Sequence, residues 1–560
     1  MTRDALRVLL IGYGPVGARL VEQLRPAVRS GAVALTVVGA ESHDAYNRVL
    51  VAEYAVGRAE RRALAITDTD AAAADGARIV TGARVIGIDR GAGIARLDSG
   101  ESIAWDRLVF ATGARANVPT LAGVDRVARD AGALRRGGSE LIAWDQSLPA
   151  GITALRDLAD AERVREAVAA KRRIVVLGAG ILGLEAALAA AQEGADVCVV
   201  HHGGFPMARN LDRGGGTVLA QALTRAGVAL VARTRAEEVL LGTGDDGEPR
   251  FEALISADGK AIHGDLLLVS CGVSARTELA TLAGLPTSTG ILVDDELRSW
   301  GDDRVFAIGD CAHVVARGQD APAPEAVASA AASGAPIGVR GAPSGLIGPG
   351  WRQAEWLADR LRVEAEVLHG VAALEPSALP AEAPALVMLK AHGIDVVSAG
   401  DVSPDPFDAP TADDRAHPTG VRQVSQWADP EHGRYLKLVT RGGVLEAFVS
   451  VGLPRTAAEV TLLYQRRAEL PADRSILLRH DGPDESAGTS ADHFAHDATV
   501  CWCNGVTVGR IEEAVDAGDR TVACVSASTR AGTGCGGCKG RIAELIERFA
   551  DLGDTAEVAV

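Results

Sequence analysis

The chain has 560 residues, 47% of them hydrophobic and only 4% aromatic, with a formal net charge of −17. That length suggests about three or four domains, and that charge argues against nucleic acid as a partner, because phosphate binding needs concentrated lysine and arginine. No apolar run approaches the roughly 20 residues that span a bilayer, and eight cysteines, half of them in one C-terminal group, are not a disulfide framework. The start, Met1-Thr-Arg-Asp-Ala5, passes directly into a buried-strand pattern without the regions of a signal peptide, so the expected location is the cytoplasm.

Residues 6–12 read as a buried parallel strand, followed by a glycine turn, a helix at about 15–25 and a strand at about 33–39. That is a β-α-β unit. Another strand covers 107–113. At 173–178 the pattern restarts with a strand, a glycine turn, an alanine-rich helix to about 193 and a strand at 195–200. Further strands are expected at 265–272 and 304–309, the last belonging to the first unit, so the second unit is inserted in the first. Residues 319–346, rich in Ala, Pro, Gly and Ser, read as a loop or weakly ordered insertion. A helix is expected from about Pro349-Gly-Trp351. Beyond 375 the pattern changes to short strands, with a hairpin at Arg441-Gly-Gly443. Residues 471–498 read as a linker.

The first glycine loop is Gly12-Tyr-Gly14-Pro-Val-Gly17. Gly12 permits a tight turn, Gly14 lets a pyrophosphate approach the backbone, and Gly17 lets helix and strand pack closely. Glu41, after the next strand, can accept ribose hydroxyls or can be a solvated turn residue. The second loop is Gly178-Ala-Gly180-Ile-Leu-Gly183-Leu-Glu185, and the strand after it ends at His201 and His202. NAD-selective sites often carry an acid there. Without it the site need not repel a 2′-phosphate, so NADH and NADPH both stay open; the alternative is two exposed loop histidines. Asp310, after the strand at 304–309, can accept ribityl hydroxyls, cap a helix, or do both.

Near the C-terminus stand Cys501-Trp-Cys503 and Cys535-Gly-Gly-Cys538. Four thiolates can close round two sulfide-bridged irons, with neighbouring glycine N–H groups turned to the sulfurs. A tetrahedral zinc knot is the alternative, although Cys-x-Cys is tight for one zinc. Cys198 and Cys271 fall in strand patterns and read as buried, as do Cys311 and Cys524. Arg530 and Lys539 add charge near the cysteines or simply solvate the surface.

Over about 1–365 the chain resembles the two-dinucleotide-domain flavoproteins of the pyridine nucleotide–disulfide reductase superfamily. Tyr46-Asn-Arg48, the run Pro206–Asp212 and the run Gly272–Ala280 are similar to the branch that includes the N-terminal half of assimilatory nitrite reductase large subunits. The resemblance implies that Gly12, Gly14, Gly17, Glu41, Arg48, Thr112, Gly113 and Asp310 hold FAD. It likewise places Gly178, Gly180, Gly183 and Glu185, with His201, at NAD(P)H. It also implies a helix near Gly350 whose N-terminus meets the flavin ring. No cysteine pair stands in the spacing of a redox dithiol within this span, so electrons are not expected to leave that way. Residues 499–552 resemble the bacterioferritin-associated-ferredoxin-like [2Fe–2S] domain, which makes Cys501, Cys503, Cys535 and Cys538 the ligands.

The expected fold is therefore α/β, with two Rossmann-like dinucleotide-binding domains, one inserted in the other, a small α+β third domain and a small C-terminal iron–sulfur domain. The corresponding spans are 1–165 with 286–370 for FAD, 166–285 for NAD(P)H, 375–470 for the third domain and 499–552 for the cluster. The third domain is assigned to packing and to a homodimer contact. The implied activity moves hydride from NADH or NADPH to FAD, then single electrons through the cluster to a separate protein. The arrangement is most similar to electron-transfer subunits of assimilatory nitrate reductase, which feed a molybdenum-containing catalytic chain. No set of cysteines serves a sirohaem half, so nitrite reduction by this chain alone is not expected. A general ferredoxin or rubredoxin reductase and a flavin redox sensor are the competing readings.

Overall fold

A computed structural model describes residues 5–124, 148–244, 247–316, 324–334, 336–368, 379–380, 386–391, 393–481, 494–534 and 536–556. Among the described residues no helix is long and apolar enough to cross a membrane. Cys535 and residues 482–493 of the expected linker lie outside the described residues, as do 319–323 and 335 of the expected insertion.

The chain is a mixed α/β protein. Its first sheet has eight strands, with Leu6–Ile11 between Val33–Gly39 and Arg107–Phe110, and Asp302–Ala307 beyond Arg107–Phe110. Leu10 stands in register with Val37 on one side and Val109 on the other, all parallel. The strands are apolar almost throughout because both faces are covered, by helices Pro15–Arg29 and Ile347–Leu368 and by a small antiparallel sheet of Val85–Asp89, Ile94–Leu97 and Ser102–Ala104 that share the same core. Leu10, Val109, Phe306 and Leu357 are fully buried in that core. The second sheet has five parallel strands with Arg173–Leu177 at its centre, between Asp196–Val200 and Leu266–Val269. The two sheets are joined by an antiparallel ribbon in which Ala114–Ala116 pairs with Val273–Ala275.

The third sheet is a five-stranded antiparallel one, in the order Leu386–Ala391, Ile394–Ala399, Val444–Val451, Arg434–Arg441, Arg422–Asp429. It packs on helix Arg213–Arg225 of the second unit. A Cβ at Gly214 would stand 2.5 Å from the Tyr435 ring, so the side-chain-free start of that helix makes the contact close. There Asp212 accepts from Lys437 Nζ at 3.1 Å and from the Tyr435 hydroxyl. The last unit is a short hairpin, Thr499–Cys501 with Val506–Thr507, and helices Val508–Asp516, Val522–Thr529 and Lys539–Ala556.

Several segments differ from the sequence reading. The first helix, Pro15–Arg29, continues through Pro26, because Ala27 and Val28 are buried and Ser30 N–H closes the last turn on Pro26 O at 3.1 Å. Within the expected loop at 319–346 lies helix Pro324–Ser333, whose Val327 packs with Ile337 against Leu292. Its alanines are strong helix formers, and that outweighed the surrounding Pro and Gly signals. The expected linker starts with a 3₁₀ helix, Arg474–Asp481, whose Leu477 is buried in the third unit and whose Asp481 receives Thr456 N–H at 2.8 Å.

Candidate functional site

The two glycine loops have the same geometry. Gly12 has φ +111° and Gly178 φ +115°, and a Cβ on either would lie 2.2 Å from a backbone oxygen of the neighbouring strand's end, Ala111 O or Ser270 O. Only glycine fits both the angle and the approach. Gly17 and Gly183 lie over these turns, with their Cβ positions 2.3 and 2.6 Å from Gly12 O and Gly178 O. Gly14 and Gly180 differ: a Cβ on Gly180 would meet nothing within 4 Å, and on Gly14 only Arg48 Nε at 3.8 Å. Each caps the start of a helix, Pro15–Arg29 or Ile181–Gln192. That free space before N–H groups and a positive helix end suits a pyrophosphate.

One cavity of about 1180 Å³ connects these features. A cleft for a drug-sized ligand holds roughly 300–1,000 Å³, so the space takes a ligand larger than that. Gly12, Gly14, Glu41 and Arg48 line one part, and Thr112, Gly113 and Asp310 another. Gly180 and Glu185 bring in the second loop. Gly17, Gly178 and Gly183 serve the packing behind it, and His201 is buried away from the cavity wall.

Glu41 accepts from the Tyr46 hydroxyl at 2.7 Å and from Arg48. Burial, the largest influence, raises the Tyr46 phenol, so it stays a donor. Asp310 accepts from Arg156 Nη2 at 2.7 Å and lies within a 3₁₀ turn, Gly309–Cys311, rather than at a helix cap. Thr112 Oγ1 donates to Arg276 O at 2.9 Å, and Arg276 N–H returns to Gly113 O at 2.9 Å. The last two bonds tie the turn after strand Arg107–Phe110 to the end of strand Val273–Ala275.

The N-terminus of helix Ile347–Leu368 closes the cavity through Gly348 and Pro349. A Cβ at Gly350 would stand 2.7 Å from Val16 of the first loop. Buried Gln353 accepts from Gly309 N–H at 2.8 Å, and Trp351 Nε1 donates to Pro15 O at 3.2 Å. A helix start directed at this cavity favours negative charge within it.

The cysteine unit sits on the same opening. Trp502 and Cys503 line the cavity, and a Cβ at Gly348 would lie 3.2 Å from Cys503 O. Asn47 makes the seat: Nδ2 donates to Thr533 O at 3.0 Å and Gly534 O at 2.8 Å, while Oδ1 accepts from Val49 N–H at 3.0 Å. Arg530 pairs with Glu22, so this cation is spent on docking rather than on solvation. Asn47→Ala removes both donors to that loop and is expected to cost about 1–3 kcal/mol. Hydrogen–deuterium exchange should then quicken at 529–534 while strand Leu6–Ile11 stays protected.

The donor set suits an iron–sulfur cluster. The Cys538 thiol, then the backbone N–H groups of Gly532 and Asn504, lower the Cys501 thiol to about 6 against the opposing effect of burial. Asn504 Nδ2 lies 3.7 Å from Cys501 Sγ and donates to Arg530 O at 2.8 Å, joining the two cysteine loops. At Gly534 a Cβ would press on Cys503 Cβ at 2.6 Å, so glycine there keeps the sulfur accessible. Among the described residues no three metal-ligating side chains converge; Cys535 lies outside them.

Three other cysteines differ from expectation. Cys311 is buried, but Cys198 is half-buried, and Cys271 and Cys524 are exposed. Cys524 lies on the outer face of helix Val522–Thr529, and Cys271 stands past the end of strand Leu266–Val269, beyond its cover. The Cys271 thiol itself turns inward to Leu177 O at 3.4 Å, and burial pushes it up to about 11. Thiolate is therefore scarce at pH 8 and increases as pH rises toward that value. Iodoacetamide should label Cys271 slowly at pH 8 and markedly faster at pH 10, as read by peptide mass spectrometry.

Sequence reasoning missed Asn47, Arg156, Gln353 and Trp351's bond to Pro15. Asn47 falls within a quoted motif, but its partners are 486 and 487 positions away, which no local signal carries.

Residues 6–334 match the family described as pyridine nucleotide-disulphide oxidoreductase, and residues 499–548 match the BFD-like [2Fe-2S] binding domain. Among curated proteins, the chain is similar to the assimilatory nitrate reductase electron transfer subunit of Bacillus subtilis (strain 168). The two are 26% identical over 544 residues, covering 96% of this chain and 59% of that protein. A nitrite reductase [NAD(P)H] of the same organism is 26% identical over 543 residues, covering 97% of this chain and 57% of that one. The chain thus spans a little over half the length of these relatives. Among solved structures, the covalent putidaredoxin reductase–putidaredoxin complex superposes with a TM-score of 0.61 at 20% identity, over 85% of this chain and 96% of that one. That likeness concerns the fold.

Proposed function

We propose, on the premise that this chain belongs to the pyridine nucleotide-disulphide oxidoreductase family, that it relays electrons from NAD(P)H to the catalytic subunit of an assimilatory nitrate reductase. The family makes it an oxidoreductase using FAD and NAD(P)H, and the C-terminal domain adds a [2Fe–2S] cluster. When bound, FAD would supply the chemistry that links a two-electron hydride donor to a one-electron carrier such as the cluster, and the chain's residues would hold and orient these groups.

The observation that carries this reading is the shared cavity, which both glycine loops and Cys503 line. Gly12 and Gly14 would form the FAD pyrophosphate turn with Gly17 packed behind it, and Glu41 and Arg48 would stand at the ribose and phosphate end. Thr112, Gly113 and Asp310 serve the ribityl side, and Arg156 orients Asp310. Gly178, Gly180, Gly183 and Glu185 receive the nicotinamide nucleotide, with His201 behind them. Cys501, Cys503, Cys535 and Cys538 would hold the cluster, and Asn47 ties the loop before Cys535 to the first unit.

Anaerobic titration with NADH and with NADPH tests the relay. The expected result is bleaching of the flavin band together with broad iron–sulfur absorption, followed by nitrate reduction when a molybdenum-containing nitrate reductase chain of the same organism is added. Flavin bleaching alone in iron-replete protein would remove the cluster from the path. Full internal reduction with electrons passing only to ferredoxin or rubredoxin would replace the nitrate reductase partner with a general one.

A further inference from the structure

The two cysteine runs of the last unit have unlike surroundings. Around the first, Trp502 and Cys503 line the cavity, and Cys503 O faces Gly348. Beside it, Thr533 O and Gly534 O take the Asn47 amide, and a Cβ at Gly534 would lie 3.7 Å from the Trp351 ring. This part of the unit is covered by the flavin unit. The second run continues as Gly536-Gly-Cys-Lys-Gly540, and none of these residues lines the cavity. Gly537, Lys539 and Gly540 are exposed, and Gly536 and Cys538 are half-buried. A Cβ at Gly540 would meet nothing within 4 Å. Apart from Cys538, this stretch carries one side chain, that of Lys539.

The lysines of the chain are Lys171, Lys260, Lys390, Lys437 and Lys539, so arginine supplies nearly all of the 57 Lys and Arg side chains. In the last unit the arginines are engaged. Arg510 pairs with Glu513 at 2.7 Å, Arg541 with Glu544 at 2.6 Å and Arg530 with Glu22. Arg520 donates to Val515 O, and Arg548 lies 3.8 Å over the Phe494 ring. Lys539 differs: its ammonium has no hydrogen-bond or ion-pair partner among the described residues. Its stem is nevertheless placed. A Cβ at Gly532 would stand 3.2 Å from Lys539 Cγ, and one at Gly536 3.9 Å from Cε. Gly532 is a residue whose N–H turns to Cys501. The side chain thus lies along the cysteine loop, with its charge left for something outside the chain.

We propose that electrons leave this chain over residues 536–540, and that this surface receives an acidic redox protein with one of its carboxylates on the Lys539 ammonium. The covered part of the unit, at Cys503 and Gly534, then serves entry. Bare glycine backbone lets an acceptor come close to the cysteines. An ammonium is a compact, strongly hydrated charge, unlike the fork of arginine. A charge at the rim of an interface sets encounter rate and salt dependence more than residence, which suits a carrier that must release its partner. Each encounter passes one electron: the cluster is oxidised by one, the partner's centre is reduced by one, and no bond forms or breaks. This inference rests on the reading of the chain as a relay ending in a [2Fe–2S] cluster.

The test uses the full-length holoprotein with rubredoxin, an acidic one-iron protein, as the probe. Carbodiimide joins an ammonium to a carboxylate in contact with it. Peptide mass spectrometry should find the crosslink to rubredoxin at Lys539 and not at Lys171 or Lys260, a readout that needs no turnover. Lys539→Glu should slow rubredoxin reduction about tenfold or more at low ionic strength. The difference should close at about 1 M salt, where screening acts within about 3 Å. Lys539→Gln should fall between, and Lys539→Arg should keep the natural rate. In all three, NAD(P)H should reduce the iron–sulfur absorption as fast as in the natural chain. Absence of a crosslink at Lys539, or a Lys539→Glu rate equal to the natural one at low salt, overturns the inference. So does loss of iron from Lys539→Gln, which would give the side chain a part in holding the cluster instead. If NAD(P)H leaves the iron–sulfur absorption of the natural chain unchanged, the relay itself fails, and the inference falls with it.

Discussion

A Cys501→Ser chain is expected to lose its iron–sulfur absorption and its iron while NAD(P)H still bleaches the flavin. Cys501 is 1% exposed and its sulfur is the focus of the Cys538 thiol and of Gly532 and Asn504 N–H groups. Those donors stabilise a thiolate, the form that binds iron. A serine hydroxyl at the same place stays protonated and is a far poorer iron ligand. Electron delivery to a one-electron acceptor protein should fall by more than the 10- to 100-fold that loss of an outer hydrogen-bond partner costs a metal site. The flavin unit has its own core around Leu10, Phe110 and Phe306, so flavin content should persist. Retention of the full iron content and spectrum would mean that Cys501 is not a ligand.

The second large effect concerns the join between the second unit and the antiparallel sheet. Lys437 is almost fully buried, and its ammonium has two contacts, Asp212 Oδ2 at 3.1 Å and Val402 O at 2.9 Å. Burial first, and then the Asp212 carboxylate, push the Tyr435 phenol up, so it remains a donor to the same oxygen. Asp212→Ala would leave a buried cation with one carbonyl and would also remove the cap on helix Arg213–Arg225. Breaking a buried pair from one side costs about 3–5 kcal/mol, whereas replacing both charges with apolar groups is often neutral. Chemical denaturation should therefore show an early loss of the third sheet in Asp212→Ala. Adding Lys437→Met should recover most of the loss. A double variant as unstable as the single one would show that packing at Gly214 and Gly215, not charge, holds the two units together.

Much of the site was legible locally. The strands were plain because a parallel sheet covered on both faces needs unbroken apolar runs, as at 6–11 and 173–177. The glycine loops were legible because the turn demands a positive φ and room that only hydrogen leaves, which the geometry at Gly12 and Gly178 bears out. Composition misled where a local preference competed with its neighbours, as in helix Pro324–Ser333. It also misled where burial depends on what lies above a strand end or helix face, as at Cys271 and Cys524.

Short-range stereochemistry thus set the two nucleotide folds, the glycine turns that open on the cavity and the cysteine spacing from sequence alone, since each depends on residues within a few positions. Tertiary structure decided how these parts meet. Asn47 reaches Thr533, Arg156 reaches Asp310, Gln353 reaches Gly309 and Asp212 reaches Lys437. Each is an ordinary polar residue whose importance comes from a partner far along the chain, and burial of that pair gives the contact its energy.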